Sequence, residues 1–183
     1  DQRLAIGTIA DGGFAEYLEV PARGVVHGYL VRIPDALSDD EAALCEPLAC
    51  VINSQNIARV GSPDIVVVIG GGPMGLIQAV TARARGAACV IVVEGSEKRV
   101  EMIAAANLPI DELVCSARED PLAGVARAAK GRPVDVVINA APSLAAVELA
   151  FKMLPKTGRI SLFASVPKDN PSLPIDVNNI HYR

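Results

Sequence analysis

The chain has 183 residues, 51% hydrophobic but only 3% aromatic and without Trp, which is material for an aliphatic core of one domain and an appended piece. A net charge of −4 with no basic stripe argues against a nucleic-acid partner, and no apolar run is long enough to span a bilayer. No signal-peptide pattern opens the sequence, so a cytoplasmic setting is expected.

The first 34 residues read as β-rich. Phe14–Val20 alternates apolar and polar side chains before Pro21, and Val25-Val26 and Tyr29–Ile33 suggest further short strands. This stretch is too short to bury a core of its own. A helical region follows, capped by Ser38 with Asp39, Asp40 and Glu41 in its first turn. Pro47 is expected to break it, with a second helix continuing to Ala58 before Gly61 and Pro63.

From Asp64 onward the pattern alternates. Strands are expected at Ile65–Ile69, Cys89–Val93, Glu112–Cys115, Val134–Asn139 and Arg159–Ala164. Helices fill the gaps at about Gly75–Arg85, Lys98–Ala106, Leu122–Lys130 and Leu144–Met153. Ser96 and Ser143 suit N-caps, and Gly86, Gly131 and Gly158 sit where helix ends need φ > 0. Such a βαβα series implies an α/β fold, a Rossmann doubly wound parallel sheet of about five to six strands. The tail from Pro167, with Val177–Ile180, closes no further unit.

The run Ile65-Val-Val-Val-Ile69 breaks into Gly70-Gly-Gly72-Pro73-Met74-Gly75, a G-x-G-x-x-G pattern in strand–turn–helix context. Gly70 suits the tight turn, Gly72 lets backbone approach a pyrophosphate, and Gly75 lets the helix pack on the strand. The helix N-terminus offers N–H groups and a positive dipole end to the phosphates. The next strand ends on Glu94, 19 residues past Gly75, where a ribose-binding carboxylate is expected. A carboxylate there repels a 2′-phosphate, so the expected cofactor is NAD(H). Ligands of open parallel sheets bind beyond the carboxyl ends of strands, which places Asn139-Ala140-Ala141 and Phe163-Ala164-Ser165 beside the nicotinamide ribose and carboxamide.

Cysteines 45, 50, 89 and 115 form no C-x-x-C pair and no disulfide framework, and no structural zinc set exists. Cys50, Cys89 and Cys115 read as buried apolar residues. His27 and His181 lack partners at ligand spacing, so no metal ligands are assigned.

Gly12-Gly-Phe-Ala-Glu-Tyr-Leu-Glu-Val-Pro21, Ile33-Pro-Asp35, Glu46-Pro-Leu48 and Val68-Ile-Gly-Gly-Gly-Pro-Met-Gly75, in this order, closely resemble the medium-chain dehydrogenase/reductase superfamily. The likeness is best to its zinc-dependent alcohol and polyol branch, the sorbitol and threonine dehydrogenase-like proteins, and covers nearly the whole chain. It implies that residues 1–60 are a remnant of a GroES-like catalytic domain with its linking helix. Residues 61–183 would be an NAD-binding Rossmann domain, incomplete at its C-terminus. The resemblance further implies an internal fragment whose zinc-binding Cys and His lie elsewhere, with zinc expected only in the full-length enzyme. Partners would be NAD(H), a small alcohol or polyol, and further copies in a homo-oligomer.

In the family the Glu of the E-P-L motif faces the catalytic zinc, which gives Glu46 a catalytic role by resemblance. From the residues alone Glu46 reads as a helix-capping carboxylate, and one carboxylate makes no metal site. Arg99 follows the family's arginine near the adenosine end; read by itself it is a solvated helix residue.

Two functions from different classes follow. One is the cofactor portion of an NAD-dependent alcohol or polyol dehydrogenase, inactive alone; the other is a stand-alone NAD-binding sensor or scaffold module. A methyltransferase also ends its second strand in an acid, but the full glycine pattern and the Gly-Gly-Phe-Ala-Glu-Tyr segment argue against one. A zinc-free quinone-reductase-like relative would prefer NADPH, which Glu94 disfavours.

Overall fold

The computed structural model describes residues 6–169 and 172–181, and its contacts divide the chain into two units between Ala43 and Leu44. The described part of the first unit holds two short helices, α1 (Ala22–Val26) and α2 (Asp39–Ala43), and an isolated bridge between Ile6 and Ala10. The strands expected over 14–20, 25–26 and 29–33 do not form among these residues. Alternation supplies an apolar face, but a strand needs a neighbour for its backbone groups and a core to cover that face. Phe14, Tyr17, Val26 and Val31 are instead exposed. The start of α2 follows expectation: Ser38 Oγ accepts the Glu41 N–H at 3.3 Å while Glu41 Oε2 accepts the Ser38 N–H at 2.9 Å, a reciprocal capping box.

The second unit opens with α3 (Cys45–Ile57). Pro47 does not break this helix. It lies in the first turn, where no intrahelical N–H bond is required, and the interruption falls at Leu44. The alternating region then runs β1 (Ile65–Ile69), α4 (Pro73–Ala84), β2 (Cys89–Glu94), α5 (Glu97–Ala105), β3 (Glu112–Cys115), α6 (Pro121–Ala128), β4 (Val136–Asn139), α7 (Leu144–Met153) and β5 (Arg159–Leu162). A short helix, α8 (Val177–His181), lies in the tail.

All strands pair in parallel in the order β3-β2-β1-β4-β5, so the order reverses between β1 and β4. Every residue of β1 is buried, because both faces of the sheet are covered. Its odd positions, Ile65, Val67 and Ile69, pack in one cluster with Val125 of α6 and Ala150 of α7. Its even positions, Val66 and Val68, pack in a second cluster with Ala79 and Ala82 of α4 and Ala58 just past α3. Alternation across the pleat sets this division, and alanines let the helices come close.

The caps fall where the sequence places them. Ser96 accepts the Arg99 N–H at the start of α5, and Ser143 accepts the Ala146 N–H at the start of α7. Gly86 and Gly131 hold φ of 91° and 72°, but the third such position is Thr157 (φ 65°), not Gly158. β5 stops at Leu162, short of Ala164, because the N–H groups of Phe163 and Ala164 converge on one acceptor, the Asn139 carbonyl, at 3.1 and 2.9 Å.

Candidate functional site

The sheet's switch point lies at the carboxyl ends of β1 and β4, where Ile69 pairs with Asn139 on one side and Val93 on the other. Gly70 leaves β1 with φ 104°, a conformation that favours glycine, and its N–H bonds the Val93 carbonyl at 2.8 Å. A Cβ on Gly70 would meet Ala141 at 3.1 Å, so the β4 turn is packed directly against it. Gly75 is the closest contact of the turn: a Cβ there would lie 1.8 Å from the Gly70 carbonyl oxygen.

Gly72 differs from both. A Cβ built on it meets nothing within 4 Å, so the backbone faces open space at the N-cap of α4. Pro73 occupies the first helical position and no side chain caps the helix. The ladder begins with the Leu76 N–H on the Gly72 carbonyl at 2.9 Å, which leaves the Met74 and Gly75 N–H groups ahead of it. An uncapped helix start beside an open glycine fits an anionic group such as a pyrophosphate.

Glu94 closes the other side. It is only 5% exposed, yet two backbone N–H groups and one guanidinium meet its carboxylate. Oε2 accepts the Gly71 N–H at 2.7 Å and Arg99 Nη1 at 3.0 Å, and Oε1 accepts the Ser96 N–H at 2.8 Å. Burial pushes its pKa up, but the bonds from Ser96, Gly71 and Arg99 outweigh it and hold the carboxyl below its ordinary value. Arg99 is half-exposed, with its guanidinium at the rim.

Gly70, Gly72, Glu94, Arg99 and Ala140 line one cleft of about 600 Å³, continued by Ser116, Pro121 and the first turn of α7. Pro73, Met74 and Gly75 form the helix start beside it. Phe163 lines a different cavity, of about 610 Å³, between α3 and β5 with Cys50, Asn53, Ser54 and Ser161. Two residues that the glycine pattern does not single out belong to the cradle. Gly71 ties the turn to Glu94, and a Cβ there would come 2.5 Å from Ile103 Cδ1. Asn139 is fully buried, and its Oδ1 accepts the Ala141 N–H at 3.3 Å, shaping the β4 turn. The sequence already places Asn139 at the carboxyl end of its strand beside the site, whereas nothing in the sequence marks Gly71 as a partner of Glu94.

Glu46 sits exposed in the first turn of α3. Its partner is Cys50 one turn on, whose Sγ donates to Oε1 at 3.3 Å. Cys50 is therefore an exposed, hydrogen-bonded thiol and not a buried apolar residue, and the Glu46 bond pushes its pKa up. Cys115 is buried as expected and Cys89 partly so. His27 stacks on Tyr29 at 5.8 Å. Among the described residues no group of three or more His, Cys, Asp or Glu could hold a metal ion, so this donor set does not fit zinc. No helix among them is long and apolar enough to cross a membrane.

The profile of the zinc-binding dehydrogenases matches residues 73–183. An L-threonine 3-dehydrogenase from Pyrococcus abyssi is 32% identical over 174 residues, covering 95% of this chain and 47% of that protein. A sorbitol dehydrogenase from Halalkalibacterium halodurans is 30% identical over 165 residues, covering 88% of this chain and 46% of that protein. The chain thus spans about half the length of the curated relatives it matches. A zinc-binding dehydrogenase from Sinorhizobium meliloti, solved bound to NADP, superposes with a TM-score of 0.84 at 27% identity, over 97% of this chain and 50% of its own. An alcohol dehydrogenase from Escherichia coli, solved with NADH, gives 0.81 at 26% identity, over 98% and 50%. With more than half of its length matched by that profile, and its sheet laid out as in those structures, the chain belongs to the zinc-binding dehydrogenase family, in the medium-chain alcohol and polyol branch.

Proposed function

We propose that this chain binds NAD(H) and forms the cofactor-holding portion of a zinc-dependent alcohol or polyol dehydrogenase. One observation carries the reading: the open backbone at Gly72 and the uncapped start of α4 lie in the same cradle as the carboxylate of Glu94. The Met74 and Gly75 N–H groups would bind the pyrophosphate, with Gly70 and Gly75 holding the turn in shape. Glu94, fixed by Gly71 and Ser96, would accept a ribose hydroxyl and disfavour a 2′-phosphate; this favours NAD over NADP. Arg99 would cover the adenosine end, and Ala140 and Phe163 would border the nicotinamide end. The bound nicotinamide supplies hydride acceptance from a secondary alcohol.

Residues 61–183 would constitute the cofactor domain, and residues 1–60 would contribute to a catalytic domain. Glu46 would serve zinc only together with ligands from outside this chain. The polypeptide alone should bind NAD without oxidising alcohols. Calorimetric titration with NAD, NADP and S-adenosylmethionine tests the binding, and a zinc-supplemented alcohol oxidation assay tests the rest. Equal or tighter binding of NADP would overturn the assignment to Glu94. Preferential binding of S-adenosylmethionine would overturn the dinucleotide reading, and zinc-dependent turnover would overturn the expected inactivity.

A further inference from the structure

Two carboxamides lie where the core is otherwise apolar. Gln55 of α3 and Gln78 of α4 are both 0% exposed, beside the cluster of Ala79, Ala82, Val66 and Val68. Burying an amide is costly unless its hydrogen bonds are replaced, and an apolar side chain of similar length would fill the same space without that cost. Their bonding is directional. Gln55 Nε2 donates both to the Gln78 backbone carbonyl at 2.8 Å and to Gln78 Oε1 at 2.9 Å. Reversing the Gln55 amide would set oxygen against both acceptors, so the orientation is fixed. Gln78 Nε2 reaches Ser54 Oγ at 3.4 Å, and Ser54 Oγ meets Ser161 Oγ of β5 at 2.9 Å. Among the described residues no donor meets Gln55 Oε1. A network retained with one orphaned oxygen is not optimised for stability alone.

The ends of this network matter. Gln78 lies one turn from Gly75 on the same face of α4, behind the uncapped helix start. Ser161 lies two residues before Phe163, and Ser54, Ser161 and Phe163 line the same cavity. Helix α4 carries the residues assigned to the pyrophosphate, and β5 leads into the turn assigned to the nicotinamide. We infer that Gln55, Gln78, Ser54 and Ser161 form a positioning relay that fixes the spacing between the two ends of the dinucleotide site. This rests on the dinucleotide reading above. A ligand that spans both ends depends on that spacing; one that occupies the α4 end alone does not.

The test compares NADH with AMP on the 183-residue chain, wild type against Gln78→Met, which keeps side-chain length and removes the amide. Thermal unfolding is recorded alongside. The expected result is an NADH Kd about tenfold weaker in Gln78→Met, an AMP Kd within about twofold of wild type, and an unchanged or raised Tm. Ser161→Ala, which cuts only the far link, should show the same split in smaller degree. Unchanged NADH affinity in both variants would overturn the relay, and so would parallel loss of NADH and AMP affinity with a lowered Tm, the mark of a merely structural role. If the folded wild-type chain binds AMP but not NADH, the dinucleotide reading itself fails and the relay with it.

Discussion

Gly72 and Gly75 of the turn should respond to alanine in opposite ways, and the structure says which. At Gly75 the new Cβ would lie 1.8 Å from the Gly70 carbonyl oxygen, a backbone atom that no rotamer change can move. Alanine at a helical position is worth about 1 kcal/mol over glycine, whereas forced overpacking costs roughly 1–3 kcal/mol and more against backbone. The net expectation for Gly75→Ala is a loss of about 2 kcal/mol, a Tm lowered by roughly 4–8 °C in a chain of this length. At Gly72 the Cβ meets nothing and the backbone is already in an ordinary extended region (φ −74°). Stiffening the unfolded chain gains about 0.4–1 kcal/mol, offset by alanine's poorer fit at an N-cap, so the Tm should stay within about 2 °C. The added methyl occupies the space assigned to the pyrophosphate, so NAD binding should fall at least tenfold. Circular dichroism melts and calorimetric NAD titration of both variants decide the matter. A Gly72→Ala chain that binds NAD like wild type would refute the assignment of that open face, and a Gly75→Ala chain that melts like wild type would refute the packing argument.

Glu94→Gln removes a carboxylate whose folded pKa lies below its unfolded value near 4.3, so its contribution is complete above that pH and is lost as pH falls through the folded value. The variant should be about 1–3 kcal/mol less stable than wild type at pH 7, with the gap narrowing as pH falls below the ordinary carboxylate value toward the lower folded one; urea unfolding at neutral and acid pH reads it. Glu46→Ala withdraws the acceptor that raises the Cys50 pKa, so iodoacetamide should alkylate Cys50 faster at pH 8 than in wild type, as followed by mass spectrometry. Asp120 accepts the Leu122 and Ala123 N–H groups at the start of α6, so Asp120→Ala should cost about 1 kcal/mol, seen as a Tm lower by roughly 2–4 °C.

What could be read from the sequence follows the range of the interactions involved. The three central strands, β1, β2 and β4, are mainly apolar runs held by burial on both faces, and their cores are legible in the sequence. Helix caps at Ser96 and Ser143 are local hydrogen bonds and were equally visible. Failures begin where a distant partner decides. Phe14–Val20 has the alternation of a strand, but no neighbouring ladder pairs with it among the described residues. Pro47 breaks a helix interior and is tolerated in a first turn, a distinction of a few residues that composition does not resolve. Residue type makes Cys50 a buried apolar side chain, whereas its environment is decided by the carboxylate one turn earlier. The pairing of Gln55 with Gln78 depends on how α3 crosses α4, which no periodicity states.

The glycine turn and the acid after the second strand are written as separate signals, yet physically they form one object. The parallel register sets Ile69 against Val93, which brings the Gly70 N–H to the Val93 carbonyl and the next N–H, that of Gly71, to Glu94 Oε2. The 23-residue separation of Gly71 and Glu94 is thus the length of α4 plus the return through β2 needed to bring the two together. A buried carboxylate without donors would take up a proton instead of a ribose hydroxyl. The backbone turn that opens space at Gly72 also supplies, at Gly71, a donor that keeps the acid ionised. Any substitution that moves the turn therefore removes one of the bonds that hold the Glu94 pKa down and fix its carboxylate, along with the shape of the cradle, so phosphate affinity and ribose selectivity should fall together in such variants.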